Sequence, residues 1–151
     1  MITIEKIVDS INILLLSSFP QHTYYIEEIP SGFKRPSFYI QLITDSWTDS
    51  NRATTIENPS FQIVYFGSVD NYQHTPVSEK LSVYQSVKDL FKCGYLNVNG
   101  EAVKLAAKGF NGEIRDNEVY FTLELEYFAL RVSGGEEYPA ARDLYINIRE
   151  D

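Results

Sequence analysis

Apolar residues recur at three- and four-residue spacing near the N-terminus, and this spacing predicts an amphipathic helix. Thr3 is suited to cap the helix, and Pro20 cannot continue it. Ile13 and Leu16 make the end of the helix apolar nearly all round, so we expect it to be covered by its own sheet or by a neighbouring subunit. The positions on the main apolar face are Ile4, Ile7, Val8, Ile11, Leu14 and Leu15.

Runs of β-branched and aromatic residues then predict strands at 23–29, 37–44 and 54–66. The stretch between the last two strands, residues 44–52, is polar apart from Trp47. We therefore predict an exposed loop there.

A second helix is predicted to begin at Thr75-Pro76, with Thr75 as the N-cap and proline in the first helical position. Gly94 is expected to end it. The expected apolar face of this helix consists of Val77, Leu81, Tyr84, Val87 and Phe91.

The next part of the chain has the pattern of β-structure. Asn99-Gly100 predicts a hairpin turn between strands at 95–98 and 102–108, and Asp116-Asn117 predicts a second turn. Asn111-Gly112 is either a competing turn or a bulge.

A long final strand is predicted from residue 119 to residue 132, where apolar residues alternate with an acidic face that carries Glu124 and Glu126. Beyond Tyr127 both faces turn apolar, so we expect the strand end to be buried on both sides. At about 46 Å such a strand is long for a small domain, and part of it is expected to project and pair with another subunit.

The segment after Val132 has a different character. Ser133-Gly134-Gly135 predicts a flexible joint. Beyond the joint, apolar residues at 144, 146 and 148 alternate with polar ones and suggest one short strand. We divide the chain into a domain over 1–132 and a C-terminal extension over 133–151.

Composition bounds the class of protein. A length of 151 residues suits one domain with its own core. The net charge of −8 argues against nucleic-acid binding, which needs basic patches. A single cysteine excludes an intramolecular disulfide, and the apolar runs are too short to span a membrane. No secretory signal is visible.

No pattern typical of a catalytic, metal or cofactor site is present, so we do not expect an enzyme. His22 and His74 lack ligand-like spacing. Cys93 lies at the negative end of the second helix, where a thiolate is disfavoured, and we expect it to be a buried or half-buried bystander. The glycines form no phosphate-binding loop.

The order of motifs from the first helix onward is similar to that of the tail terminator family of phages and phage-like particles from Gram-positive bacteria. The resemblance covers roughly residues 1–132 and includes the strand at 60–66 and the final hairpin ending at 126–128. The segment after Val132 departs from the pattern. The residues that carry the first motif are Phe19-Pro20, Tyr25, Glu27, Glu28, Ile29, Gly32, Phe33, Pro36, Phe38, Ile40 and Leu42.

The resemblance implies an α+β fold with a mostly antiparallel, mixed sheet flanked by two helices, in a ring-forming subunit. It implies a hexamer that caps the head-proximal end of the tail tube and ends polymerisation of the tube and, in contractile tails, of the sheath. We lean towards a contractile tail.

The partners implied by the resemblance are further copies of this chain, the tail tube protein, the sheath protein and the neck or head-connector protein. DNA would pass the lumen without specific binding, and no membrane is involved. The expected location is the neck region of a virion tail, assembled in the bacterial cytoplasm. The alternatives are a neighbouring head–tail joining or neck protein and, less favoured, a small ligand-binding α+β domain.

Candidate interface residues follow from charge and exposure. The basic doublet Lys34-Arg35 is either a solvated loop tip or a contact with an acidic neighbour. Trp47 either folds back on the sheet or anchors a partner. Glu124 and Glu126 are expected to face solvent or a neighbouring subunit. The full set of candidates is Lys34, Arg35, Trp47, Arg52, Arg115, Asp116, Glu124, Glu126 and Tyr145.

Overall fold

Two helices and one six-stranded sheet make up the computed structural model, which describes residues 1–131. The predicted α+β class is confirmed. In chain order the elements are α1 (Ile4–Ser18), β1 (Thr23–Ile26), β2 (Ser37–Asp49), β3 (Thr54–Phe66), α2 (Val77–Phe91), β4 (Tyr95–Val98), β5 (Glu101–Arg115) and β6 (Glu118–Leu130).

The sheet has the strand order β1-β2-β3-β6-β5-β4. β1 runs parallel to β2, and every other neighbouring pair is antiparallel, so the sheet is mixed as predicted. β1 ends at Ile26, and Glu27 then adopts a positive φ of 63°. The Glu27 carboxylate accepts a hydrogen bond from the Leu42 backbone N–H at 2.6 Å and so occupies the edge of β2 just beyond β1.

Both helices pack on the same face of the sheet, which we call the inner face. Cross-strand partners such as Phe38 and Tyr65, or Ile63 and Phe121, point towards the helices and are buried with them in one core. The opposite face, here the outer face, carries no helix within residues 1–131. The sheet therefore buries one side and leaves the other available.

Helix α1 follows the sequence prediction. The Thr3 hydroxyl accepts a hydrogen bond from the Lys6 N–H at 3.2 Å, which satisfies one of the free donors of the first turn. Ile7, Ile11 and Leu15 are fully buried. Ile13 and Leu16 remain exposed, so the chain's own sheet does not cover the far side of this helix.

Helix α2 differs from the prediction in its start and its buried side. It begins at Val77 after an N-cap at Pro76, and no side chain caps it. Thr75 lies before the helix, buried, with its N–H donated to the Asn117 side-chain oxygen at 2.9 Å.

The predicted apolar face of α2 is wrong in its first two positions. Val77 and Leu81 are exposed, whereas Val83 joins Val87 and Phe91 in the core. The buried row at i, i+4 and i+8 lies on the neighbouring side of the helix. Apolar spacing predicted the helix here but not its exact rotation against the sheet.

Residues 44–52 are not a loop, contrary to the prediction. β2 continues to Asp49 and pairs with β3, so Trp47 is opposite Glu57. Only a short turn remains, in which the Asn51 side chain accepts hydrogen bonds from the N–H groups of Ala53 and Thr54. Polar side chains allow an exposed strand because the ladder is formed by backbone groups.

β5 is longer than predicted. Its register against β6 shifts between Leu105 and Phe110, whereas Asn111-Gly112 lies in regular pairing, so both the turn and the bulge considered at Asn111-Gly112 are wrong. The turns at Asn99-Gly100 and Asp116-Asn117 are confirmed, and Asn99 and Asp116 both have positive φ.

Candidate assembly interface

Three strands extend beyond the part of the sheet that the helices cover. We call this extension the β-tip and define it as residues 44–49 of β2, 54–58 of β3 and 126–130 of β6. β5 accompanies β6 only as far as the Lys104–Glu126 pair, and the last buried core residue of β6 is Leu125. The β-tip is thus a three-stranded projection, as the length of the final strand suggested.

Both faces of the β-tip carry exposed apolar side chains among polar ones. Trp47 and Tyr127 lie on the inner side, across Glu57, and Trp47 is 59% exposed. Phe128 and Leu130 lie on the outer side and are 66% and 74% exposed. The expectation that this strand end is buried on both sides is therefore wrong for the single chain, because neither helix and no fourth strand among residues 1–131 covers it. Exposed apolar groups arranged in this way mark an interaction surface.

The outer face continues from the β-tip as a row of uncharged polar side chains. Gln41, Gln62, Thr122 and Asn111 are direct cross-strand neighbours. Glu124 is exposed between this row and the tip, and Glu126 lies 3.7 Å from Lys104 across the strands. Covering these uncharged hydrogen-bonding groups with a partner costs less desolvation free energy than covering a charged surface would.

Arg115 borders the outer face at the end remote from the β-tip. Its guanidinium donates to the Glu113 carboxylate at 2.7 Å and lies 4.8 Å from the centre of the Tyr120 ring. The hydrogen bond from Arg115 lowers the pKa of Glu113. The Arg115 side chain is thus held on the surface by residues of its own chain.

The two members of the basic doublet have different environments. Arg35 donates to the Gly67 carbonyl at 3.0 Å, lies 3.6 Å from Glu118, and packs over the rings of Phe33 and Phe66. It anchors the loop between β1 and β2 onto the sheet. The Lys34 residue is exposed, and only its backbone N–H is engaged, by the Tyr25 hydroxyl at 2.9 Å.

Asn117 is a connecting residue that the sequence did not reveal. Its side chain accepts from the Thr75 N–H and donates to the Gln73 carbonyl, and its backbone oxygen accepts from Gly67 at 3.0 Å. Lys80 donates to the neighbouring Asp116 carbonyl at 2.6 Å. The predicted turn indicated where Asn117 lies, but nothing in the pattern indicated contacts more than 40 positions away.

A second cluster unrecognised in the sequence lies around Glu79. The carboxylate accepts hydrogen bonds from the Tyr65 hydroxyl at 2.7 Å, the Ser68 N–H at 2.9 Å and the Ser68 hydroxyl. Burial acts to raise the pKa of Glu79, but these hydrogen bonds outweigh it and the net pKa is lowered. Burial lowers the pKa of His22, whose ring packs 5.7 Å from that of Tyr65. These contacts join α2 to β3 and leave the carboxylate fully engaged in holding the fold.

Residues 1–131 contain no group of three metal-ligating side chains, and no helix among them is long and apolar enough to cross a membrane. Cys93 is exposed, contrary to expectation, because the chain turns outward between Phe91 and Gly94; its thiol donates to the Tyr95 carbonyl at 3.2 Å.

The β-tip projects beside a sheet face that carries no helix within residues 1–131, and its exposed apolar side chains offer a surface for protein contacts. A family model described as phage tail terminator protein matches residues 6–136. The chain belongs to the phage tail terminator protein family. No match was found among curated proteins.

Family membership gives the chain a structural role in a phage tail. This is a family of structural tail proteins and not a class of enzyme. A tail terminator protein interacts with other tail proteins, so its exposed surfaces are the place to look for contacts.

The interface residues predicted from sequence separate into three groups on this tail protein. One end of the sheet holds Lys34, Arg35, Arg115 and Asp116, and the other end holds Trp47 and Arg52. Glu124 and Glu126 lie between them on the outer face. Tyr145 lies outside the described residues. The candidate residues therefore lie at opposite ends of the sheet and between these ends.

Proposed function

We propose that six copies of this chain form a closed ring that caps the head-proximal end of the tail tube. The ring ends polymerisation of the tube, and of the sheath in a contractile tail, and presents a surface to the neck or head connector. The observation that carries this proposal is the β-tip, which exposes large apolar side chains on both faces and continues into a sheet face that carries no helix within residues 1–131. Membership of the tail terminator family supports it.

The arrangement of the two faces suits a ring in which subunits meet head to tail. A closed heterologous contact needs two different surfaces on each subunit. The outer face with Phe128 and Leu130 is one candidate surface. The solvent side of α1, where Ile13 and Leu16 are exposed, lies across the sheet from it and is the other. Their opposite positions let one subunit's outer face meet the next subunit's helix.

The charge of the chain suits a passage for DNA. Each subunit contributes a formal charge of −8, and a closed ring multiplies that charge around its lumen. An acidic wall repels phosphates, so DNA passes without being held. The exposed Lys34 and Arg52 are then suited to contacts with acidic protein surfaces at the two ends of the ring.

The proposal predicts that a charge placed at the β-tip abolishes assembly without unfolding the subunit. Phe128→Asp removes an exposed apolar contact and puts a carboxylate into the intersubunit surface, where an unpaired charge is costly. In cells that lack the native protein, we expect this variant to fail to restore tails of uniform length. Tail lengths are measured by electron microscopy of negatively stained particles.

Tyr72→Asp is the matched control, because Tyr72 is also an exposed aromatic residue and lies in the loop between β3 and α2. It should restore normal tails. Both purified variants should show the thermal midpoint of the native chain, since neither side chain is part of the core. Normal tails with Phe128→Asp would contradict the assignment of the β-tip to the ring.

A further inference from the structure

A groove of about 700 Å³ lies along the inner side of the β-tip. It is lined by Trp47, Glu57 and Tyr127, which are consecutive cross-strand partners, and by Met1 and Glu101 from the body of the domain. The indole of Trp47 is the largest apolar group in it and is 59% exposed. Within residues 1–131 this groove has no occupant.

The groove borders an open strand edge. β5 pairs with β6 up to Lys104–Glu126, whereas residues 101–103 of β5 pair only with β4, on the opposite edge of β5. Residues 127–130 of β6 therefore have β3 on one side and no strand from the described chain on the other. Such an edge presents a row of backbone donors and acceptors that an extended segment can satisfy.

The described chain ends at the same place. Arg131 lines the groove, and its N–H donates to the Ala53 carbonyl at 2.9 Å. Residues 132–151 continue from this point, and among them Leu144, Ile146 and Ile148 alternate with polar residues. That alternation gives a strand with one apolar side.

We propose that residues 143–149 of the same chain add to the open edge of β6 and place their apolar side in the groove beside Trp47. The polar side, which includes Tyr145 and Asn147, then faces solvent. The inference goes beyond the proposed function and does not rest on it, since it concerns the free subunit.

The segment immediately after the glycine joint fits this edge less well. Pro139 has no N–H to donate to a ladder, and Glu136 and Glu137 would lie near Glu57 and Glu101. The residues between Arg131 and the proposed strand span up to about 40 Å when extended. That reach, with Ser133-Gly134-Gly135 to reverse the chain, is sufficient to return to the groove.

The tether favours this occupant over a second copy of the chain. A segment joined by a short flexible linker is present at an effective concentration of about 1 mM, which free subunits do not reach in dilute solution. The family match ends at residue 136, so the proposed strand is an addition beyond the matched region. The groove and its occupant would thus be a feature of this chain.

Trp47 provides a direct probe, because it is the only tryptophan in the chain. Acrylamide quenching of its fluorescence should be about twofold stronger in a chain that ends at Glu136 than in the full chain, because a covered indole loses most of its exposed area. The emission maximum should also move to longer wavelength. Equal quenching and equal maxima in the two proteins would overturn the proposal.

Two adjacent substitutions in the full chain provide the matched test. Ile146→Asp puts a charge on the apolar side of the proposed strand and should give the quenching of the shortened chain. Asn147→Asp puts the same charge on the solvent side and should leave quenching as in the native chain. Native quenching in both variants would contradict the proposal.

Dilution distinguishes a segment of the same chain from a second copy as the occupant of the groove. Quenching of the full chain that stays constant over an about hundredfold dilution supports an intramolecular strand, since the tether makes binding independent of protein concentration. Protection of Trp47 that disappears on dilution would assign the groove to a second copy and overturn the proposal. These measurements use the isolated protein, so their outcome is independent of whether it terminates tails.

Discussion

At the residue scale, two neighbouring cationic residues show that the surroundings of a side chain decide whether it holds the fold or remains available to a partner. Arg35 and Lys34 were equivalent as a basic doublet, yet only Arg35 is bound into the fold, by the Gly67 carbonyl, Glu118 and two aromatic rings. A planar guanidinium can bind a carbonyl and a carboxylate while it stacks on rings, whereas an ammonium group acts as a point charge. Arg35 is thus part of the fold, and Lys34 is the member available to a partner.

Arg35→Ala should lower the free energy of unfolding by about 1–3 kcal/mol, because it removes charge-assisted hydrogen bonding and leaves the loop between β1 and β2 without its anchor. Lys34→Ala should change the free energy of unfolding by less than about 0.5 kcal/mol. Urea titration of both variants measures the difference. Equal effects would show that the Arg35 contacts contribute little to the fold.

The residue scale is also where the sequence was least informative. The Thr3 cap follows from local chemistry and was predicted, whereas Asn117 and Glu79 act through contacts with residues far away in the chain. A local pattern carries no information about such contacts. The same limit explains Thr75, whose N–H turned out to bond Asn117 instead of its side chain capping a helix.

At the element scale, α2 is positioned by a close approach to β5. Gly112 lies under the ring of Tyr84, and a Cβ at this position would overlap the ring. Gly112 pairs with Phe121 on the inner face, where the helix packs. The glycine therefore makes room for the Tyr84 ring between helix and sheet and does not form a turn.

Gly112→Ala should destabilise the fold by about 1–3 kcal/mol, the usual cost of inserting an atom into a packed interface. The same substitution in a Tyr84→Ala background should cost close to nothing, because the overlapping ring is gone. Urea unfolding of the two single variants and the double variant gives this coupling energy. Additive effects of the two substitutions would contradict the contact.

The elements themselves were largely predictable, and their ends and rotations were not. Spacing of apolar residues located α1, a run of β-branched and aromatic residues located β3, and Asn99-Gly100 located a turn, because each signal is local. The strand over residues 44–49 was missed since its side chains are exposed and only its backbone pairing reveals it. That omission hid one of the three strands of the β-tip, which is the main candidate site.

At the scale of the whole molecule, the two ends of the sheet differ in how many of their side chains are bound within the chain. The end with Arg35 and Asn117 is closed by hydrogen bonds within the chain. The β-tip at the other end exposes Phe128, Leu130 and Trp47. A subunit with one end hydrogen-bonded within the chain and exposed apolar side chains at the other is suited to join other subunits in a fixed orientation. The resemblance found in the sequence and the family match also indicate a protein of phage tails.

We propose that this chain ends the growth of a tail tube. The most direct measurement is electron microscopy of tails assembled with and without the chain, with the tail lengths counted and the tube ends imaged. We predict tails of uncontrolled length without the chain, and uniform tails with a ring of it at the head-proximal tube end when it is restored. Uniform tail lengths in its absence, with no density for it at that end, would contradict the claim.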